Sequence, residues 1–320
     1  MAIRRTMDRR AFLRAAVPAA AALSALPTLS RGASAPRGGA SKTELTVTEL
    51  AERLFLIRGG GGNVTVFNSP EGVLLVDGGS PEHSAQVLKL VRERTGASRV
   101  HTLFNTHWHW DQTGSNRTLG RAGTRILAHE NTRLWLTTDV NSKWEHRVYE
   151  PLPKEAQPNQ TFYTKGSLEF GGEQIDYGYL PQAHTDGDIY VFFRKANVLV
   201  AGDVLSVGSY PILDYCTNGW IGGMAEATET LAKLCNDQTQ VIPGVGPVQG
   251  RADLEAEHKM LATLKRRLSD LLAQGMSVQD MIEARPTEEF DAQWGDPRLF
   301  IANAWPGLVH RARELGAHIV

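Results

Sequence analysis

Two histidines stand two residues apart in the run Asn105-Thr106-His107-Trp108-His109-Trp110-Asp111-Gln112, directly after an apolar stretch that ends at Phe104. Neutral imidazole is the commonest protein ligand for zinc-type metals. A His-x-His pair at the end of a strand aims two ring nitrogens at one point. Asp111 lies two residues further on. A third imidazole, His184, sits in the polar turn Ala183-His184-Thr185-Asp186-Gly187-Asp188. A carboxylate, Asp203, follows Gly202 at the end of the apolar run Val198-Leu199-Val200-Ala201. Three imidazoles with carboxylates, far apart in sequence and each beside a strand-like run, suit a tetrahedral metal with one open position. That is the layout of a catalytic zinc. The candidate ligands are therefore His107, His109, His184, Asp203 and Asp111.

These groups need a rigid frame. Runs bounded by glycine and proline read as strands at Leu45–Leu50, Leu54–Ile57, Val64–Phe67, Val73–Val76, Val100–Phe104, Arg125–Ala128, Ile189–Phe193, Val198–Ala201 and Gln240–Ile242, with two or three more within Phe162–Leu180. Helical periodicity predicts helices over Pro81–Thr95, Thr113–Leu119, Glu130–Leu136, Ile221–Leu234 and Leu254–Leu272, followed by two more. Strand-rich halves that each end in helices predict two sheets packed face to face with helices outside. The stretch from Asn141 to Gln160, with Trp144, His146, Tyr149 and three prolines, reads as a surface excursion or as a lid over substrate. Trp108 and Trp110 either pack inward or line the pocket mouth. Tyr210, Tyr215 and Trp220 either wall the pocket or fill the core. Asp186 and Asp188 are expected to bond local backbone in their turn.

At this point the chain resembles the metallo-β-lactamase superfamily over about residues 44–250. The turn Asp77-Gly78-Gly79, the His-x-His-x-Asp motif at 107–111, the His184 turn and the Gly202-Asp203 strand end occur in family order. The resemblance implies an α/β fold, a four-layer αββα sandwich of two mixed sheets with the metal at strand ends. It implies a first metal site of His107, His109 and His184, and a second made from Asp111, the next motif residue, Asp203 and a late histidine. This chain departs at two of those positions: Gln112 replaces the motif's last histidine, and Val245, in Pro243-Gly244-Val245-Gly246-Pro247, stands where the late histidine belongs. One good site and one crippled site follow. Asp111, with no second metal to bind, is left free as a general base for the water a single zinc would activate. Asp77 is expected to cap its turn and to orient a ligand histidine from behind.

The remaining sequence sets the context. The chain has 320 residues and a formal net charge of -1, with ordinary globular composition. Residues 1–35 combine clustered arginines, the Asp8-Arg9-Arg10-Ala11-Phe12-Leu13 segment, an Ala/Leu-rich run and Ala33-Ser34-Ala35. This resembles a twin-arginine signal peptide, which makes the export machinery a partner and the periplasm or exterior the destination. The apolar run is too short and too proline-broken for stable membrane insertion. A linker over 36–43 and a catalytic domain over 44–320 complete the division. Six Arg and one Asp lie within residues 1–35, so the remainder carries 28 basic and 34 acidic residues, a formal charge of -6. That balance argues against a nucleic-acid partner. Two cysteines, Cys216 and Cys235, are too few for a thiolate metal cluster and read as separate buried thiols.

Three functions fit. The first is an exported hydrolase with one Zn2+ per chain, attacking an ester, lactone, thioester or amide (β-lactams included) carbonyl of a small-molecule substrate. The second is an Fe2+ enzyme oxidising persulfides, as some members of the resembled superfamily do, since two histidines and Asp203 would match a two-His-one-carboxylate iron site. The third is a binding module whose catalytic site has decayed.

Overall fold

The computed structural model describes residues 44–314. The proposed export signal and linker lie outside the described residues. Among the described residues fourteen strands run in chain order: β1 Thr46–Ala51, β2 Leu54–Gly60, β3 Gly62–Ser69, β4 Gly72–Val76, β5 Val100–Phe104, β6 Arg125–His129, β7 Val140–Ser142, β8 Arg147–Tyr149, β9 Gln160–Phe162, β10 Lys165–Phe170, β11 Glu173–Tyr179, β12 Ile189–Phe193, β13 Val198–Gly202 and β14 Gln240–Pro243. The helices are α1 Ser84–Thr95, α2 Trp110–Thr113, α3 Asn116–Arg121, α4 Glu130–Leu136, α5 Ile221–Leu234, α6 Arg251–Ala273, α7 Val278–Glu283, α8 Glu288–Trp294 and α9 Arg298–Glu314.

The first sheet has the order β1-β2-β3-β4-β5-β6-β9 and the second β10-β11-β12-β13-β14; β7 and β8 form a separate hairpin. Both large sheets are mixed: β4, β5, β6 and β9 run parallel, as do β13 and β14, and the other pairs are antiparallel. Alternation along each strand decides which layer a residue joins. In β2 and β4, Leu54, Leu56, Leu74 and Val76 face Ile175, Val191, Phe193, Val198 and Val200 of the second sheet. Their neighbours Phe55, Ile57, Val73 and Leu75 point the other way, onto Val87, Leu88 and Val91 of α1. In the second sheet Leu199 and Val241 turn outward to α5, α6 and the C-terminal helices. The result is the four-layer αββα arrangement that the sequence predicts. Residues buried on both faces explain why β4 and β13 read as unbroken apolar runs.

Some boundaries differ from the sequence expectation. Pro81 belongs to a turn in which the Ser80 carbonyl accepts from the backbone N–H of both His83 and Ser84, so α1 begins at Ser84. The expected helix at Thr113–Leu119 is two short helices, α2 and α3. Three helices rather than two follow α6. The two cysteines are unpaired, Cys235 buried and Cys216 half-buried. Among the described residues no helix is long and apolar enough to cross a membrane.

Helix α6 buries one acid. Glu257 is 1% exposed, and its carboxylate accepts the Ser206 backbone N–H at 2.9 Å. Burial pushes this carboxyl up to about 8 against that hydrogen bond. The folded chain thus holds a proton here that the unfolded chain releases above its ordinary carboxylate range. Stability from this group is complete at low pH and is lost as pH rises towards 8. Glu257→Gln removes the titration and keeps an acceptor for Ser206. The variant should gain about 2 kcal/mol or more over the parent between pH 5 and pH 8 in urea unfolding. A difference that does not change with pH would contradict this.

Candidate metal centre

The site lies where strands of both sheets end. Strand β5 delivers the loop that carries His107 and His109, the β11–β12 turn carries His184, and β13 ends in Gly202, which leads to Asp203. One potential ligand atom from each of His107, His109, His184 and Asp203 falls within 4.8 Å of the other three. All three histidines are buried.

Hydrogen bonds around the rings fix their tautomers. Thr106 Oγ1 donates to Asp77 Oδ2 at 2.7 Å and so accepts from His107 Nδ1 at 3.1 Å. Asp77 Oδ1 also accepts the Thr106 backbone N–H at 2.8 Å. Asp77, itself at φ 63°, thus orients His107 through Thr106, as the sequence predicts, rather than touching it. His184 Nδ1 donates to the Ile212 carbonyl at 2.7 Å. His109 Nε2 donates to Asp214 Oδ2 at 3.2 Å. With the outer nitrogens donating, the inner ones present lone pairs: His107 Nε2, His109 Nδ1 and His184 Nε2. His109 Nδ1 and His184 Nε2 are 2.9 Å apart, and His107 Nε2 is buried without a hydrogen-bond partner. A cation in place of a shared proton would satisfy this facing pair and the unpartnered His107 Nε2 together, so these residues fit a metal.

Electrostatics agree. Burial, then the neighbouring histidines, hold His107 well below the usual imidazole range, and burial followed by His109 lowers His184. Both stay neutral, as ligands must. Burial is the largest influence on His109 and opposes its charge, but the bond and charge of Asp214, with the charges of Asp111 and Asp203, together outweigh it and raise this ring. Asp214 is likewise held at about 2, its burial overcome by His109.

Asp203 Oδ2 stands 3.6 Å from His184 Nε2 and 3.9 Å from His107 Nε2. Its Oδ1 is buried, unpartnered and packed against Gly244, where a Cβ would come within 1.7 Å. Gly202, at φ +57°, turns the chain into Asp203 and lies so close to Thr106 that a Cβ would meet its Oγ1 at 2.8 Å. Glycine at 202 therefore lets the two sheets' loops close on one point, and glycine at 244 leaves room for the Asp203 carboxylate.

Asp111 is outside the converging group of four. It lies in the first turn of α2, half-buried, and burial followed by the charge of Asp203 raises its carboxyl to about 6. Gln112 is fully buried; its Nε2 donates to the Gly244 carbonyl at 3.4 Å, and its Oε1 has no partner. Val245 is 54% exposed. Asn63 pins the loop before and after it: the Asn63 backbone N–H bonds Gly244, and Nδ2 bonds the carbonyls of Pro243 and Gly246 at 2.8 and 3.0 Å.

Asp214 escaped the sequence reading. Its side chain is fully buried and takes donors from four directions: His109 Nε2, Thr217 Oγ1 at 2.6 Å, the Cys216 backbone N–H at 3.2 Å and Trp144 Nε1 at 3.0 Å. Trp108 is buried and reaches the same cluster through Thr217 at 3.1 Å. The β7–β8 hairpin, which occupies much of the expected surface excursion, is thereby tied to a candidate ligand. Its Trp144 ring lies 6.3 Å from that of His109. Trp110 is half-exposed beneath the Arg147 guanidinium. Of the three later aromatics, Tyr210 is buried beside the site, whereas Tyr215 and Trp220 line another cavity with His310 and Arg311. Asp188 bonds Thr185 as expected, but the side chain of Asp186 takes Asn218 Nδ2 and Trp135 Nε1 rather than local backbone.

The family model of the metallo-beta-lactamase superfamily matches residues 57–247, which include every residue of this centre and both sheets apart from β1 and the start of β2. The chain belongs to the metallo-beta-lactamase superfamily. The metallo-beta-lactamase type 2 of Bacillus cereus is 25% identical over 189 residues, 59% of this chain and 68% of the relative. The 2,4-dinitroanisole O-demethylase subunit alpha of Nocardioides sp. (strain JS1661) is 22% identical over 244 residues, 75% of this chain and 70% of its own. Two solved structures share the fold. A metallo-beta-lactamase from Pontibacter korlensis superposes with a TM-score of 0.55 at 19% identity, over 68% of this chain and 99% of that one. The sec-alkylsulfatase Pisa1 from Pseudomonas sp. reaches 0.65 at 14% identity, over 86% of this chain and 51% of that one.

Asp214→Asn keeps the shape and removes the charge that holds His109 Nε2–H. Zinc affinity, read by chelator competition, should fall about 10–100-fold. Unchanged affinity would show that Asp214 does not position His109.

Proposed function

We propose that the chain is an exported metal-dependent hydrolase with one zinc per chain, held by His107, His109, His184 and Asp203, acting on an ester, lactone, thioester or amide carbonyl. The observation that carries this is the set of three inward lone pairs, each ring held by a fixed outer partner. Nitrogen ligands with one carboxylate suit zinc. When bound, such a metal supplies Lewis acidity and lowers the pKa of the water it holds. A relative named as a metallo-beta-lactamase and one named as an O-demethylase both support bond cleavage at this kind of centre.

The chain's own groups do the rest. Asp203 Oδ2 faces His107 and His184 and closes the fourth side of the ligand set. Asp111 is the general base: a carboxyl near 6 is protonated and deprotonated more readily at neutral pH than an ordinary aspartate. Trp108, Thr217 and Asp214 fix the imidazole of His109 during turnover. A second metal is disfavoured, because Val245 offers no donor and the Gln112 amide is a weak ligand. Residues 1–35 are proposed to direct export through the twin-arginine machinery.

Elemental analysis of the purified full chain, with no metal added, should find about one zinc, lost in His184→Ala. About one iron would replace the hydrolase with oxygen chemistry, and no metal would favour a binding module. The double variant Gln112→His with Val245→His should raise the content towards two; two metals in the parent would contradict the single-site reading. Asp111→Asn should keep its zinc and lose about 10²–10⁴-fold in kcat on whichever carbonyl substrate the parent hydrolyses. Unchanged kcat removes Asp111 as the base.

A further inference from the structure

A cleft of about 290 Å³ opens on the His184–Asp203 flank of the centre. Its size is at the low end for small-ligand sites. Its far wall comes from two segments that also form the site: the chain after Asp203 and the loop around Val245. Leu205, Val207, Ile212, Val245 and Pro247 supply apolar surface. Ser206 and Ser209 add neutral hydroxyls, and Tyr210 presents its ring, because its hydroxyl donates to Asp291 at 2.8 Å. The ionisable groups at the metal end are His184 and Asp203. Among the described residues no lysine or arginine lines the cleft. Arg147 is engaged elsewhere, stacked over Tyr149 at 4.4 Å and Trp110 at 5.4 Å on the hairpin. Glu145, on the same hairpin, acts on Asp111 as a further negative charge.

An anionic group seated on the far wall, beyond the metal's own ligands, would lose its hydration and meet no cationic side chain, with Asp203 and Asp111 nearby. A neutral apolar group would lose nothing and cover aliphatic surface. The wall is also held in place. Ser206 is fixed from below by Glu257, and the Val245 loop by Asn63. We infer that the substrate is uncharged on the side that enters this cleft, a small neutral aryl or alkyl ester or lactone rather than a carboxylate-bearing substrate, and that Val245 is part of the surface that selects it. This rests on the proposed reaction centre, and it gives Val245 a use: the residue at the lost ligand position becomes substrate wall.

Binding tests the inference without turnover. Zinc-loaded full chain is titrated calorimetrically with two thiols of equal size, 4-(mercaptomethyl)benzamide and 4-(mercaptomethyl)benzoate. Both share the same metal-seeking thiol, so the ratio of their dissociation constants reads the tail alone. The amide should bind about tenfold tighter or more. Val245→Lys, a change at an exposed position, should bring the ratio close to one. Equal affinity, tighter benzoate binding, or failure of both thiols to bind the zinc-loaded chain would overturn the inference. An ester and lactone screen separates this from the functional proposal. No turnover with the amide preference intact sinks the hydrolase alone, and turnover with a carboxylate preference sinks the charge selection alone.

Discussion

Three imidazole lone pairs aimed at one buried point are the constraint on which the rest of this structure depends. Left alone they are costly, since polar nitrogens are taken from water and given no donor. The fold sustains them by fixing each ring from behind. His107 leans on Thr106 and Asp77, His109 on Asp214, and His184 on the Ile212 carbonyl. The three supports differ in kind. The carboxylate behind His109 leaves that ring the more basic, while the other two are held neutral by burial. Three imidazoles with Asp203 make a cradle that fits a metal ion.

Positioning that cradle is the work of the two sheets. His107 and His109 belong to the first sheet's loops, His184 and Asp203 to the second's. Their meeting requires the loops to approach closely, hence the missing side chain at Gly202 against Thr106, and Asn63 stitches the Pro243–Gly246 loop to the first sheet. The inter-sheet core of Leu54, Leu74, Phe193 and Val200 holds the layers apart at a fixed spacing. Val245 sits on a loop pinned through the backbone of its neighbours Pro243, Gly244 and Gly246, so the hold on that loop does not depend on the side chain at 245.

The strands and the histidine motif were legible because their signals are local. Alternation within β2 and β4 sorts residues into layers, and His107, His109, His184 and Asp203 each follow a readable strand or turn. The family match over residues 57–247 agrees with the resemblance those motifs carry. Asp214 was not legible, because its partner is 105 positions away and its own surroundings show no motif. The β7–β8 hairpin was missed for a related reason. Its strands have three residues each, too short for a period, and it is held by Trp144 reaching Asp214 and by Lys143 N–H reaching Cys216 Sγ. Asp186 looked like a turn residue from sequence, but Asn218 and Trp135, distant in the chain, draw its side chain away.

The central claim is one metal held by three imidazoles and a carboxylate. X-ray absorption at the zinc edge, on full chain loaded with one equivalent, tests it most directly. The account predicts three imidazole scatterers with one or two oxygens at ~2.0–2.2 Å and no sulfur. Fewer than three imidazoles, a sulfur shell, or a metal–metal vector at ~3.5–4 Å would contradict it.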